Sequence, residues 1–127
     1  HYPPHPSHAP KNQLGCGAHI DWSLFTVLLQ DQCSGLEMYH PSGQWLSVKP
    51  IAGTFIFNLG DLLSRWTNDF YRAAPHRVLN CSDRDRYSLP FFFDINYHAL
   101  VQCLPTCQSS ENPPQYPAFV AGEHIIK

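Results

Sequence analysis

The sequence contains no apolar run long enough to cross a bilayer, which takes about 20 residues in a helix. It has no basic stripe and no basic amphipathic helix, so neither nucleic acid nor a membrane surface is an expected partner. The net charge of −2 comes from scattered residues. No signal-peptide pattern opens the chain, and because residue 1 is histidine the chain is expected to begin inside a longer gene product. The five cysteines are an odd number without regular spacing. That favours free thiols in a reducing, cytoplasmic compartment over a disulfide framework. Cys103 and Cys107 flank Leu104-Pro105-Thr106, but a zinc knuckle there would lack its second ligand pair. There is no internal repeat and no low-complexity segment.

What is present suits one domain. At 127 residues with 43% apolar and 13% aromatic content, a single core is possible. His1-Tyr2-Pro3-Pro4-His5-Pro6 reads as an extended segment running into a proline-punctuated loop. Its histidines, with His8, are read as a solvated loop rather than a metal cluster, since nothing fixes their geometry. Pro10 to Gly17 is a turn-rich approach to Ala18–Gln30, which is dense in strand formers. Further strands are predicted over Leu36–Tyr39, Trp45–Val48, Thr54–Asn58 (buried), Ala74–Leu79 and Arg86–Ile95. Turns at Ser34-Gly35, Pro41-Ser42-Gly43 and Thr67-Asn68-Asp69 and a charged loop at Asn80–Asp85 separate them. Asp61–Trp66 could be one helical turn, with Asp61 capping it. Short strands at close spacing argue for an all-β sandwich or jelly roll over residues 1–98. From Ala99 the prolines break the pattern, and residues 99–127 read as an irregular tail packing on that core.

The chemistry begins at His19 and Asp21. On a strand, residues two apart point to one face, so an imidazole and a carboxylate project together. His76, arriving from another strand, would complete a 2-His-1-carboxylate triad, whose open positions suit non-haem Fe(II) that must also bind a co-substrate and O2. Arg86 and Ser88 are likewise two apart and share a face. A guanidinium pairs bidentately with a carboxylate, and a hydroxyl adds another bond. A buried cation needs a partner, and a dicarboxylate bound to the metal at one end would supply it at the other. The alternative for Arg86 is a surface ion pair with Asp83 or Asp85, an arrangement worth little.

Many short motifs then occur in order: Tyr2-Pro3-Pro4, Ala18-His19-Ile20-Asp21, Leu28-Leu29-Gln30-Asp31, Gly35-Leu36, Gly43-Gln44-Trp45, Val48-Lys49-Pro50, Asn58-Leu59-Gly60-Asp61, Thr67-Asn68, His76-Arg77-Val78, Arg86-Tyr87-Ser88, Cys103-Leu104-Pro105 and Tyr116-Pro117. Through them the chain resembles the 2-oxoglutarate- and Fe(II)-dependent dioxygenases, in the plant and fungal branch that includes isopenicillin-type enzymes. The resemblance implies a double-stranded β-helix (jelly roll), incomplete at its N-terminus because the family's N-terminal half is missing. It implies that His19, Asp21 and His76 ligate Fe(II), that Arg86 and Ser88 hold the far carboxylate of 2-oxoglutarate, and that Tyr2 also reaches this co-substrate. Ascorbate is a further candidate in the cofactor set. Oxidative decarboxylation to succinate and CO2 would be coupled to attack by O2 on a C–H bond of a small-molecule substrate, hydroxylation being the default and desaturation or ring closure the variants. Asp69 stands where the family usually has glycine, so that loop is expected to differ in shape.

Bland readings cover most other candidates. His40, His98 and His124 are expected to be ordinary core or surface residues. Trp22, Trp45 and Trp66 are read as packing, and Phe91, Phe92 and Phe93 as core. Phe92 alone shares strand parity with Arg86 and Ser88 and could line a substrate pocket. Three other functions stay open: a jelly-roll binding module, an inactive fragment, and a related Fe(II) oxidase that does not use 2-oxoglutarate. Succinate release with and without Fe(II) would separate the first two from an active enzyme.

Overall fold

A computed structural model describes residues 1–6, 8, 10, 13–80 and 83–126. Parts of the expected approach loop before Gly17, of the Asn80–Asp85 loop with Cys81, and the last residue of the tail lie outside the described residues. The elements are β1 (Cys16–His19), β2 (Phe25–Gln30), β3 (Leu36–His40), β4 (Gln44–Ser47), β5 (Ile56–Leu59), α1 (Asp61–Trp66), β6 (His76–Val78), β7 (Ser88–Phe93), β8 (Leu100–Val101), a 3-10 turn (Pro105–Cys107), β9 (Phe119–Val120) and α2 (Ala121–Ile125). The chain is mostly strands with few helices, as expected. One sheet has the order β1-β6-β3-β4, a second the order β5-β2-β7, and β8 pairs with β9. Among the described residues no helix is long and apolar enough to cross a membrane.

The chain forms two compact units. The first comprises His1–Ile20, Leu28–Ile56 and Ala74–Pro90 and contains the whole four-stranded sheet. Its β3–β4 hairpin turns at Pro41-Ser42-Gly43, where Gly43 adopts φ +87°, a region glycine enters without steric cost. Cross-strand pairs then fix the register. Tyr39 faces Trp45 with ring centroids 5.1 Å apart, and Glu37 faces Arg77 with Nε 2.7 Å from its carboxylate. Arg77 also lies over the Trp45 ring at 4.2 Å. Such pairs each contribute about 0.2–1 kcal/mol.

The second unit comprises Asp21–Val27, Phe57–Ala73 and Phe91–Lys127. Its apolar centre is Leu62, Val101 and Ala121, with Leu24, Trp66, Ile95 and Phe119 packed around them. The stretch expected to be an irregular tail therefore holds a two-stranded ladder and a short helix. Its prolines sit outside these elements, where no ladder hydrogen bond is lost. Asn68, at φ +52°, clasps this stretch. Its Nδ2 donates to the carbonyls of Cys107 and Pro113 (both 3.2 Å), and its Oδ1 accepts from the amide of Gln115 at 2.8 Å. Beside it the Tyr116 hydroxyl donates to Asp69 at 2.9 Å. That bond, then burial, pushes the Tyr116 phenol above its ordinary value.

Several local expectations need correction. Ala18–Gln30 is not one strand, because the chain bends between His19 and Phe25. Asp61 does not cap α1. The N-cap is Gly60, with no side-chain capping bond, and the Asp61 carboxylate instead pairs with Arg65 one turn along (2.6 Å) and with His124 (3.1 Å). Phe55 and Phe57 do not make β5 a buried strand, Phe91, Phe92 and Phe93 are not core, and Trp22 is exposed. Two of these side chains meet Phe25, which stacks on Phe93 (4.6 Å) and tilts against Phe57 (4.8 Å). Strand-forming composition signals an extended backbone, and it does not state which face is covered.

Candidate functional site

His19 ends β1, and its partner across the sheet is His76, which opens β6. Over this interval Cys16 faces Val78 while His19 faces His76, so β1 carries one extra residue. A bulge of this kind re-aims the side chain beside it. The two imidazoles approach to 4.3 Å between centroids, tilted by 56°. Each is steered by a carbonyl two residues upstream. His19 Nδ1 lies 2.8 Å from the oxygen of Gly17, and His76 Nδ1 lies 3.2 Å from that of Ala74. A carbonyl can only accept, so both Nδ1 atoms carry a proton, and in the neutral ring Nε2 is then the atom with the lone pair. This is the tautomer a metal-ligating histidine needs.

Asp21 lies in the bend beyond β1, not on the strand, and is 7% exposed. Its orientation comes from neighbours that sequence reasoning missed. Thr26 Oγ1 donates to Oδ2 at 2.6 Å, and Asn58 Nδ2 donates to the same oxygen at 2.8 Å. A monodentate ligand needs only one carboxylate oxygen, and two donors on the other hold the group still. The backbone is fixed as well. The Asp61 amide donates to the Asp21 carbonyl at 2.7 Å, and Gly60 runs so close to Ser23 that a Cβ there would stand 1.8 Å from its oxygen. Thr26 and Asn58 were readable as polar residues inside the apolar runs Phe25–Leu29 and Ile56–Leu59.

One ligand atom from each of His19, Asp21 and His76 lies within 4.8 Å of the others. Neighbouring ligands on an ion with bonds of about 2.1 Å stand about 3 Å apart, so modest side-chain rotation would bring all of them to one metal. Two neutral imidazoles and one carboxylate on one side of an ion form the donor set that suits Fe(II) with positions left open. The residues present fit the group.

Arg86 is 1% exposed. Its expected alternative, an ion pair with Asp83 or Asp85, does not form among the described residues; Asp85 pairs with His1 at 2.7 Å. The guanidinium donates to Ser88 Oγ (3.3 Å) and Gln30 Oε1 (3.0 Å), and it faces the Tyr2 ring at 5.1 Å. Its buried Nε has no hydrogen-bond partner among the described residues. Tyr2 is held against it by paired backbone hydrogen bonds, each 2.9 Å, between Tyr2 and Arg86. The expected trio of Arg86, Ser88 and Tyr2 is thus assembled, and Gln30 joins it. Asp31, next in sequence, accepts from the amides of Cys33 (2.8 Å) and Tyr87 (2.7 Å). Burial pushes its carboxyl up, but those amides and the Arg86 charge outweigh it and hold the pKa below the ordinary value. Phe92 lies four residues beyond Ser88 on β7 and is about half exposed.

Against known proteins, the profile described as "2OG-Fe(II) oxygenase superfamily" matches residues 1–95. The chain is 47% identical to the 2-oxoglutarate-Fe(II) type oxidoreductase hxnY of Emericella nidulans, over 98% of this chain and 36% of that protein. It is 40% identical to a homoarginine-6-hydroxylase of Oryza sativa subsp. japonica, over 92% of this chain and 36% of the relative. A crystal structure of a full-length Neurospora crassa protein in complex with alpha-KG (2-oxoglutarate) superposes with a TM-score of 0.84. It shares 31% identity, over 91% of this chain and 40% of that one. The chain therefore spans a little over a third of the length of these relatives.

Proposed function

The chain belongs to the 2OG-Fe(II) oxygenase superfamily, and from that premise we propose that it is the catalytic part of an oxygenase in which His19, Asp21 and His76 hold Fe(II) while Arg86 and Ser88 hold the distal carboxylate of 2-oxoglutarate. The family uses Fe(II) and 2-oxoglutarate. The observation that carries the reading is the convergence of the His19, Asp21 and His76 ligand atoms to within 4.8 Å. When bound, the iron and co-substrate would supply a four-electron reduction of O2: two electrons would come from 2-oxoglutarate, which loses CO2 and becomes succinate with one oxygen atom, and two from the substrate, whose C–H bond takes the other.

The chain's own residues have separate tasks. Gly17 and Ala74 keep both histidines as Nε2 ligands, Thr26 and Asn58 keep Asp21 aimed, and Arg86 with Ser88 and Tyr2 orients the co-substrate's far end. We read the two larger sheets as those of a jelly roll. We place the protein in a reducing, cytoplasmic setting, which the free thiols of Cys16, Cys33, Cys103 and Cys107 support. The substrate is a small organic metabolite, hydroxylated or desaturated, with Phe92 on its side of the pocket. The additional length of the relatives leaves room for an upstream half that completes the pocket wall.

The test is calorimetry of Fe(II) and of 2-oxoglutarate, combined with succinate release. His76→Ala should remove iron binding and all turnover. Arg86→Gln should keep iron binding but weaken 2-oxoglutarate, because a desolvated charge pair is worth about 2–5 kcal/mol. Iron affinity unaltered in His76→Ala would reject the triad. An unaltered 2-oxoglutarate requirement in Arg86→Gln would move the anchor elsewhere.

A further inference from the structure

Arg86 is buried, yet among the described residues the side chains that contact its guanidinium are neutral. Gln30 Oε1 accepts from one arm at 3.0 Å, Ser88 Oγ from another at 3.3 Å, and the Tyr2 ring lies 5.1 Å away. No carboxylate forms an ion pair with Arg86 among the described residues. The nearby Asp31 is engaged by the amides of Cys33 and Tyr87. Gln30 is itself oriented, since its Nε2 donates to the carbonyl of Val48 at 3.4 Å. The amide therefore presents its oxygen, and not its nitrogen, to the guanidinium.

We propose that Gln30 is a positioning residue that holds Arg86 in place without an ion pair, so that its charge remains available to the carboxylate of the co-substrate. This rests on the reading of Arg86 as the co-substrate anchor. The physical argument is a competition between anions. A buried cation with only neutral partners is costly, and the cost is recovered when a ligand brings the counter-charge. A glutamate at position 30 would fill nearly the same space and already stand at hydrogen-bond distance. It would form an internal charge-assisted pair, the stronger kind of hydrogen bond. The ligand would then have to displace an anion that cannot leave. It would also bring a carboxylate beside another carboxylate, and like charges at close range repel. An amide gives the geometry of that pair without its charge. The Gln30 signal is therefore chemical: in a site that selects an anion, the fixed acceptor of the cation is uncharged.

The experiment measures 2-oxoglutarate and succinate binding by calorimetry to the Fe(II)-loaded protein under anaerobic conditions, alongside the melting temperature without ligand. The proteins are wild type, Gln30→Glu, Gln30→Met and Arg86→Gln. Gln30→Glu should weaken both dicarboxylates at least tenfold, with a melting temperature equal to or above that of wild type and with iron affinity unchanged. Gln30→Met, which loses the orienting bond but not the charge, should weaken them only two- to fourfold. If Arg86→Gln weakens binding while Gln30→Glu binds like wild type, the inference is overturned and the anchor stands. If Gln30→Met and Gln30→Glu weaken binding equally, charge is not the cause and the inference is also overturned. If Arg86→Gln itself binds like wild type, the anchor reading fails first.

Discussion

Removing one hydroxyl, in Thr26→Val, tests whether the surroundings of Asp21 set the quality of the metal site. Thr26 is 3% exposed, and its Oγ1 donates to Asp21 Oδ2 at 2.6 Å. Valine keeps the branched shape and the strand preference while deleting the donor. A hydrogen bond to a charged group contributes about 1.5–3 kcal/mol. At about 1.4 kcal/mol per decade, that is roughly 10- to 150-fold in any equilibrium that depends on the aimed carboxylate. Loss of a partner to a metal ligand costs about 10- to 100-fold in affinity, so the two estimates agree. Asn58 Nδ2 remains at 2.8 Å on the same oxygen, which keeps the expectation at the lower end, about tenfold. Calorimetric Fe(II) titration reads the affinity, and thermal melts with and without metal separate it from stability. An iron affinity within twofold of wild type, with unchanged melting in both states, would refute the idea that Thr26 orients Asp21.

Two further perturbations follow from hydrogen bonds and burial away from the metal. Asp31 has a folded pKa below its unfolded value, so its contribution is present above about pH 4 and is lost as pH falls through the folded value. Asp31→Asn should therefore be less stable than wild type near neutrality, and the difference should shrink on acidification; denaturant melts from pH 7 to pH 3 that run parallel would count against it. Asn68→Ala loses its bonds to Cys107, Pro113 and Gln115 and places alanine at φ +52°. At about 1 kcal/mol per bond and 1–2 kcal/mol for the left-handed backbone, the loss is roughly 4 kcal/mol. Asn68→Gly should recover the backbone share, and equal urea midpoints for the two variants would exclude it.

The site was more legible than its setting. His19, Asp21 and His76 were identifiable because ligand chemistry restricts residue type and because each sits in a recognisable short motif. Arg86 and Ser88 were identifiable by their two-residue spacing, and the structure joins them by a direct hydrogen bond. The reason for the His19–Asp21 spacing was not legible. The pair does not share a strand face; a bulge aims His19, and Thr26 with Asn58 aims Asp21. Bulges depend on which strand pairs with which, and Asn58 is far along the chain from Asp21, so neither is a property of a local window. The exposed phenylalanines of β7 had the same cause. Apolar composition shows what a side chain prefers, whereas coverage depends on residues distant in sequence. Gln30 was visible as a letter in a motif, but its role needed the guanidinium to be placed beside it.

Two of the three residues at the apolar centre of the second unit, Val101 and Ala121, come from beyond residue 98, and the third, Leu62, comes from α1. Asp61, which opens that helix, donates its amide to the Asp21 carbonyl at 2.7 Å. Cutting the chain at residue 98 would uncover Leu62, which is fully buried, and would loosen the helix that carries Asp61. Residues 99–126 are in this sense a brace for the backbone of the carboxylate, and shortening them should be felt at Asp21 before it is felt in the four-stranded sheet.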